Sequence, residues 1–376
     1  MKKIRILQII KSLGRGGAEM LLPETLRLHD KERFEFHYIY FLPWKDQMVG
    51  SIETHGGKVT CIPAKNNIQL MASVSAIVGY IREHNIELIH AHLPWAGIVA
   101  RRAGRTAGIP VIYTEHNKQE RYHRLTRWMN LLTMNWLTKV IAVSADAAQS
   151  IRKHKSYLKP PLQTLLNGVN VEHFAPGKFD GKDMRTMLGI PLDAPVVGTV
   201  AVFRFQKRLD VWMETAVSIL EKIPDAHFIL VGDGPLKTEL VDLQGKLGLE
   251  NRLHFTGIQT EVRPYLAAID VYMMSSIFEG LPIALLEAMA SGCAVVTTDA
   301  GGIKEVIRHE QDGLMCAAEQ PEKLAKFAIE LLTDPEKRHR LALQGRLRVE
   351  EHFSLKKMVR ELEDLYNGLL SSNNRQ

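Results

Sequence analysis

The segment Phe278-Glu279-Gly280-Leu281-Pro282-Ile283-Ala284-Leu285-Leu286-Glu287-Ala288-Met289-Ala290-Ser291-Gly292 places two carboxylates eight positions apart around a glycine loop and a helix start. Pro282 suits a first helical position, because its φ is already set and it has no N–H to leave unpaired. Gly292 suits the stop. Backbone N–H groups and the positive end of the helix then converge on one point, an arrangement that suits a phosphate. Glu287, about a turn and a half into the helix, is placed for neutral hydroxyls beside that phosphate. A phosphate flanked by hydroxyl-binding carboxylates describes a sugar nucleotide.

Outward from this segment, short apolar runs alternate with amphipathic stretches. Upstream of it, Val196–Val202, His227–Val231, Leu253–Phe255 and Val271–Met274 read as buried strands, and Ala294–Thr297 follows it as another. The first half shows the same rhythm, with strands expected at Ile4–Ile10, Phe36–Phe41, Lys58–Ile62, Glu87–His90, Val111–Thr114 and Lys139–Val143. Continuous apolar strands between helices imply parallel sheets covered on both faces. At 376 residues the chain is expected to form two such doubly wound domains, divided in the Pro/Gly-rich region 167–195. The final stretch Leu355–Leu370 carries Met358, Leu362, Leu365, Tyr366 and Leu369 at helical spacing, and the tail from Ser371 is expected to fray.

Composition is that of a globular protein, 45% hydrophobic and 24% charged. No leader peptide is expected from Met1-Lys2-Lys3 and the interrupted run behind it, and no run is long and apolar enough to span a membrane. Cys61, Cys293 and Cys316 are scattered and read as reduced, buried residues of a cytoplasmic protein. Charge is unevenly divided. Residues 1–170 hold 24 Lys/Arg against 12 Asp/Glu, and the remainder holds 24 against 30. A basic half suggests an anionic surface or acceptor; an ordinary solvated basic face is the competing reading.

Other constellations are weaker alone. Gly14-Arg15-Gly16-Gly17-Ala18-Glu19 is a glycine turn after the first strand, but Glu19 stands where a dinucleotide fingerprint needs its third glycine. Thr114-Glu115-His116-Asn117 sets a histidine and a carboxylate at a strand's carboxyl end, either on the rim of a site or in a surface loop. His90 and His92 form an H-x-H with no third ligand at helical spacing, so a metal is not expected. Arg204, Lys207 and Arg208 lie just past a strand, where cations can neutralise a diphosphate. Arg121, Tyr122, Arg124, Arg127, Trp128 and Trp136 interleave in 118–136. They fit either a membrane-surface helix or a helix with its aromatics packed inward, and the inward reading is preferred.

Taken in order, these segments resemble family 4 of the retaining, nucleotide-sugar-dependent glycosyltransferases, whose fold is GT-B. The resemblance runs from Ile4 to about Leu370 and includes Asn167-Gly168-Val169, Val231-Gly232-Asp233-Gly234-Pro235 and Phe255-Thr256-Gly257. It implies two Rossmann-like α/β domains facing a central cleft. The first would be 1–170 plus about 355–376, with the last helix crossing back to it; the second would be 171–354. It also implies a hexosyltransferase acting on a glycan or lipid-linked acceptor of the bacterial envelope. The co-substrate would be a nucleotide sugar, of UDP type, with no metal and no nucleic acid involved. The site would be cytoplasmic, peripheral to an anionic membrane.

By the same resemblance, Glu287 would hold the donor ribose. Glu279, with the backbone of Gly280, Leu281, Pro282 and Ile283, would hold the sugar and β-phosphate. Lys207 would contact the diphosphate, His116 would lie at the sugar, and Gly16 and Gly17 would admit donor phosphate and acceptor. Gly257 and Ile258 would lie near the base. Many members carry an arginine five positions before the lysine; here that position is Val202, and Arg204 would supply the cation. A GT-B epimerase acting on the nucleotide sugar itself is the alternative enzyme, and a non-catalytic sugar-nucleotide-binding subunit is the alternative outside enzymes.

Overall fold

The computed structural model describes residues 3–373. Met1 and Lys2, on which the reading of the amino terminus partly rests, and the tail beyond 373 lie outside the described residues. Contacts divide the chain into two units, Met1–Asn167 with Leu355–Gln376, and Gly168–Ser354.

In the first unit β1 (Ile4–Ile9), β2 (Phe34–Tyr40), β3 (Lys58–Cys61), β4 (Leu88–His92), β5 (Val111–Glu115), β6 (Lys139–Ala142) and β7 (Leu162–Thr164) form a parallel sheet in the order β3-β2-β1-β4-β5-β6-β7. The order reverses between β1 and β4, where Ile6 stands level with Leu88 on one side and Phe36 on the other. In the second unit β8 (Val196–Val200), β9 (His227–Val231), β10 (Leu253–Gly257), β11 (Val271–Met274), β12 (Ala294–Thr298) and β13 (Leu314–Cys316) form another, ordered β10-β9-β8-β11-β12-β13. Its reversal lies between β8 and β11. Ligands of doubly wound sheets bind outside the strand carboxyl ends at such switch points.

Two strands escaped the sequence reading. Leu162–Thr164 and Leu314–Cys316 are three-residue edge strands, too short to show a period. The second unit's core is built on Trp212, wholly buried, whose Nε1–H donates to the Met273 carbonyl at 2.9 Å and whose ring meets Phe228 edge-on.

The last helix, Leu355–Asn373, belongs to the first unit. It buries Leu355, Val359, Leu362 and Tyr366, the last two in the same apolar cluster as Ile6, Phe34 and Leu26. Asp30 N–H donates to Glu363 Oε1 at 2.8 Å, and His29 Nδ1 lies 2.9 Å from the same oxygen. The helix continues through Ser371, where fraying was expected. All three cysteines are free, and Cys61 is only part-buried because its strand is at the sheet edge.

The 118–136 segment corrects the preferred reading. It is a short turn (Gln119–Arg121), a helix (Arg124–Thr133) and a second turn (Met134–Trp136), with Trp128 60% and Trp136 42% exposed. The two tryptophans do not pack inward, because the helix is anchored by polar residues instead, whereas Tyr122 turns in and donates to buried Glu115.

Candidate functional site

The second unit brings two of the expected residues, Lys207 and Glu279, together beside its β8/β11 switch point. After β8 the chain runs to Phe203, fully buried, whose N–H donates to the Asp233 carbonyl at 2.9 Å. Gly234 lies against that backbone so closely that a Cβ there would stand 2.6 Å from the Phe203 nitrogen and oxygen. The Gly232-Asp233-Gly234-Pro235 run is thus a spacer that lets the loop after β8 pass. That loop then makes a short turn, Phe205–Lys207, closed by Arg208 at φ +45°. A left-handed non-glycine residue needs support. Ser275, just past β11, gives it by donating to the carbonyls of Lys207 (2.9 Å) and Arg208 (2.8 Å). Ile277 N–H donates to the Gln206 carbonyl at 2.9 Å, so the two loops are stitched together.

The stitching brings Lys207 Nζ within 2.5 Å of Glu279 Oε1, and the Ser276 hydroxyl donates to the same oxygen at 2.7 Å. Both side chains of the ion pair keep some solvent access, 17% for Lys207 and 11% for Glu279. A small cavity lined by Thr199, Lys207, Trp212, Ser275 and Ser276 lies beside them. Arg204 stands before the turn in extended backbone, exposed.

The helix after the loop is Ile283–Ala290, so Pro282 is its N-cap and not its first residue: ψ of 114° keeps it extended. No side chain caps this start, and its first N–H groups have no intrahelical acceptor. Gly292, at φ +80°, closes the far end. Glu287 lies within the helix at 9% exposure, and Leu281 is buried. Gly280 is held from behind by Gly302; a Cβ on Gly302 would fall 1.6 Å from the Gly280 carbonyl oxygen. At the end of β10, Gly257 (φ +69°) turns the chain and leaves Ile258 61% exposed. Lys237, absent from the sequence reading, places its ammonium 3.8 Å from the Phe255 ring centroid. Ser275, Ser276 and Lys237 carried no motif of their own. The Ser275-Ser276 pair just past a strand end was the available signal.

In the first unit the β1/β4 switch point carries the glycine turn. Gly16 caps the helix Gly17–Leu28. The Glu19 carboxylate folds back across it to accept from Ser12 Oγ at 3.0 Å, and a Cβ on Gly16 would sit 2.3 Å from that carboxylate. Glu115 is not on the rim. It is wholly buried and accepts from the hydroxyls of Tyr113 (2.8 Å) and Tyr122, from Gln119 Nε2 (2.5 Å) and from Asn117 N–H (3.2 Å).

His116 ends a chain of buried polar groups beside a cavity lined by Gln8, His90, His92, Leu362 and Tyr366. Gln8 Nε2 donates to Tyr366 Oη (3.4 Å), which donates to His90 Nδ1 (2.8 Å); His90 Nε2–H donates to Thr114 Oγ1 (2.7 Å). His92 Nε2–H donates to Gln8 Oε1 (2.8 Å), so His92 Nδ1 accepts from His116 Nε2–H at 3.2 Å. The unprotonated nitrogen of His116 is therefore Nδ1. Burial holds all three rings neutral: His90 is lowered to about 3, His116 to about 4, and His92 well below the ordinary value.

Comparison with known proteins follows the two units. Residues 15–173 match the family described as Glycosyltransferase Family 4, and residues 180–348 match Glycosyl transferases group 1. The chain is 25% identical, over 97% of its length and 96% of the relative's, to an Escherichia coli UDP-Gal:alpha-D-GlcNAc-diphosphoundecaprenol alpha-1,3-galactosyltransferase. It is 28% identical to a Bacillus anthracis N-acetyl-alpha-D-glucosaminyl L-malate synthase, over 80% and 79% of the two chains. Among solved structures, Anabaena HepE in complex with UDP and glucose superposes with a TM-score of 0.87 at 22% identity, covering 97% of this chain and 100% of that one.

Proposed function

Because this chain belongs to the family 4-type glycosyltransferases and has the GT-B fold, and so moves a sugar from a nucleotide donor, we propose that it transfers a hexosyl group from a UDP-sugar, with retention at the anomeric carbon. The acceptor is a hydroxyl on a lipid-linked or envelope glycan, and the work is done at the cytoplasmic face of the membrane. The acceptor reading is supported by the diphosphoundecaprenol-linked substrate named for the E. coli relative and by the basic first half of the chain. UDP is supported by that relative and by the ligands of HepE.

One observation carries the site: Lys207 and Glu279 meet at 2.5 Å beside an uncapped helix start, with Glu287 inside the same helix. Barrier crossing requires C–O cleavage, with positive charge at the anomeric carbon and negative charge on the departing diphosphate. On donor binding the diphosphate takes Lys207 from Glu279, and the freed carboxylate accepts from sugar hydroxyls. Arg204 and the N–H groups at Gly280 and Ile283 share the phosphate charge, with Gly257 and Ile258 at the base and Glu287 on the ribose. In the first unit Gly16 and Gly17 give phosphate and acceptor room to approach, and His116 accepts a sugar hydroxyl through Nδ1. Attack on the same face as the leaving group, assisted by that group, needs no protein nucleophile. These protein cations stand in for a metal, so turnover is expected to persist in chelator.

The test is a thermal-shift screen of UDP-sugars followed by product analysis with and without acceptor. Stabilisation by one UDP-sugar, slow hydrolysis alone and transfer with acceptor are expected. Conversion of the donor to an epimer without acceptor would replace transfer by epimerisation. Full turnover in both Glu287→Ala and Lys207→Ala would remove the site.

A further inference from the structure

The Arg124–Thr133 helix is amphipathic in the opposite sense to a helix laid on a globular core. Its fully buried residues are polar, Asn130 and Thr133, with part-buried Leu131 packed on the apolar core beside them. The buried Arg101 guanidinium holds them, donating to the Asn130 carbonyl (3.0 Å), Asn130 Oδ1 (2.9 Å) and Thr133 Oγ1 (2.8 Å). Asn130 Nδ2 in turn donates to Glu115 Oε2 at 3.3 Å. The outward residues are apolar: Leu125 is 55%, Trp128 60% and Leu132 56% exposed, and Trp136 continues the line in the next turn. Spacings of three and four put them on one face.

Cations border this face. Arg124 is exposed in the first turn, Arg127 is half-exposed, and the Arg105 guanidinium lies over the Trp136 ring at 5.1 Å. Residues 121–145 contain no Asp or Glu. The loop bearing exposed Tyr157 and Lys159 is tied to the same end by Lys159 N–H donating to Asn135 Oδ1 at 3.0 Å.

We propose that this face docks the first unit on a lipid bilayer carrying anionic headgroups. Tryptophan and leucine on one helical face, bordered by arginine, match the layered chemistry of a membrane interface: acyl boundary, carbonyl level and phosphate. A second copy of the chain fits poorly, because a two-fold contact would set this acid-free basic face against itself. The polar anchor explains how the fold keeps such a face outward: the helix is secured through Asn130 and Thr133, so its apolar side is not needed for packing. The inference deepens the lipid-linked acceptor reading above, and it is tested without substrate so that either can fail alone.

The test is sedimentation of the full chain with vesicles of phosphatidylglycerol and phosphatidylcholine, against vesicles of phosphatidylcholine alone. Binding to the anionic vesicles is expected, weakening with salt and accompanied by a blue shift of tryptophan emission. The triple variant Leu125→Ser, Trp128→Ser, Leu132→Ser should lose vesicle binding yet keep its melting temperature. Arg124→Ser should weaken partitioning roughly fivefold. Unaltered binding by the triple variant, equal binding to both vesicle types, or a dimer that the same substitutions dissolve would each overturn the proposal.

Discussion

Single side chains decide whether the proposed leaving-group site works. The Lys207 ammonium is paired with Glu279, so Lys207→Ala should reduce kcat by roughly 100-fold to 1,000-fold, the cost of removing one preorganised charge from a transition state. Steady-state kinetics at saturating donor checks this; an unchanged kcat with a raised KM would make Lys207 a binding group only. His90 gives a pH prediction. Its ring is neutral in the fold, lowered to about 3, whereas in the unfolded chain it titrates near the ordinary 6.5. The unfolded state therefore takes up the proton first. Stability is full above that ordinary value and falls as pH drops toward the folded one. From pH 6.5 to 5 this ring alone should cost about 2 kcal/mol, read from urea unfolding at the two pH values. His90→Asn should flatten that slope.

Loops and helices carry the next level of specificity. Gly302 presses on the Gly280 carbonyl from behind, and a methyl at that position has nowhere to go. Gly302→Ala should displace the Glu279–Pro282 loop, destabilise the second unit by about 1–3 kcal/mol and weaken UDP-sugar binding in a thermal-shift titration. The same comparison shows what was legible. The helix start at Pro282 and the stop at Gly292 could be read within one residue, because proline and glycine state their backbone needs locally. The role of Gly302 could not, because its constraint is a contact with a loop some twenty residues away. The 118–136 segment misled for a related reason. Trp128 and Leu132 have the spacing of a core face, and only the buried partners Arg101 and Glu115 reveal that the helix is turned outward.

At the scale of the whole molecule, parallel order followed from strands that are apolar on both faces, and the two edge strands were missed because three residues hold no periodicity. The last helix could be read as amphipathic, but its attachment through Glu363, Leu362 and Tyr366 to the opening strands is a contact between the two ends of the sequence. A chain ending at Ser354 would leave Ile6, Phe34 and Leu26 facing water. It should lose the cooperative melting of the first unit while the second still melts with a UDP-sugar shift; calorimetry of the truncated chain distinguishes this from loss of both.

That attachment also sets an order of events at the ribosome. The strands Ile4–Ile9 and Phe34–Tyr40 emerge before the helix that covers them, with the entire second unit made in between. At about 5–20 residues per second the first half waits on the order of ten seconds or more with an apolar seam uncovered. The later half can finish folding before the earlier one does. Nascent chains of this protein should therefore hold a chaperone on their first unit until Leu355–Asn373 is made, and donor binding should arise during synthesis before the first unit closes.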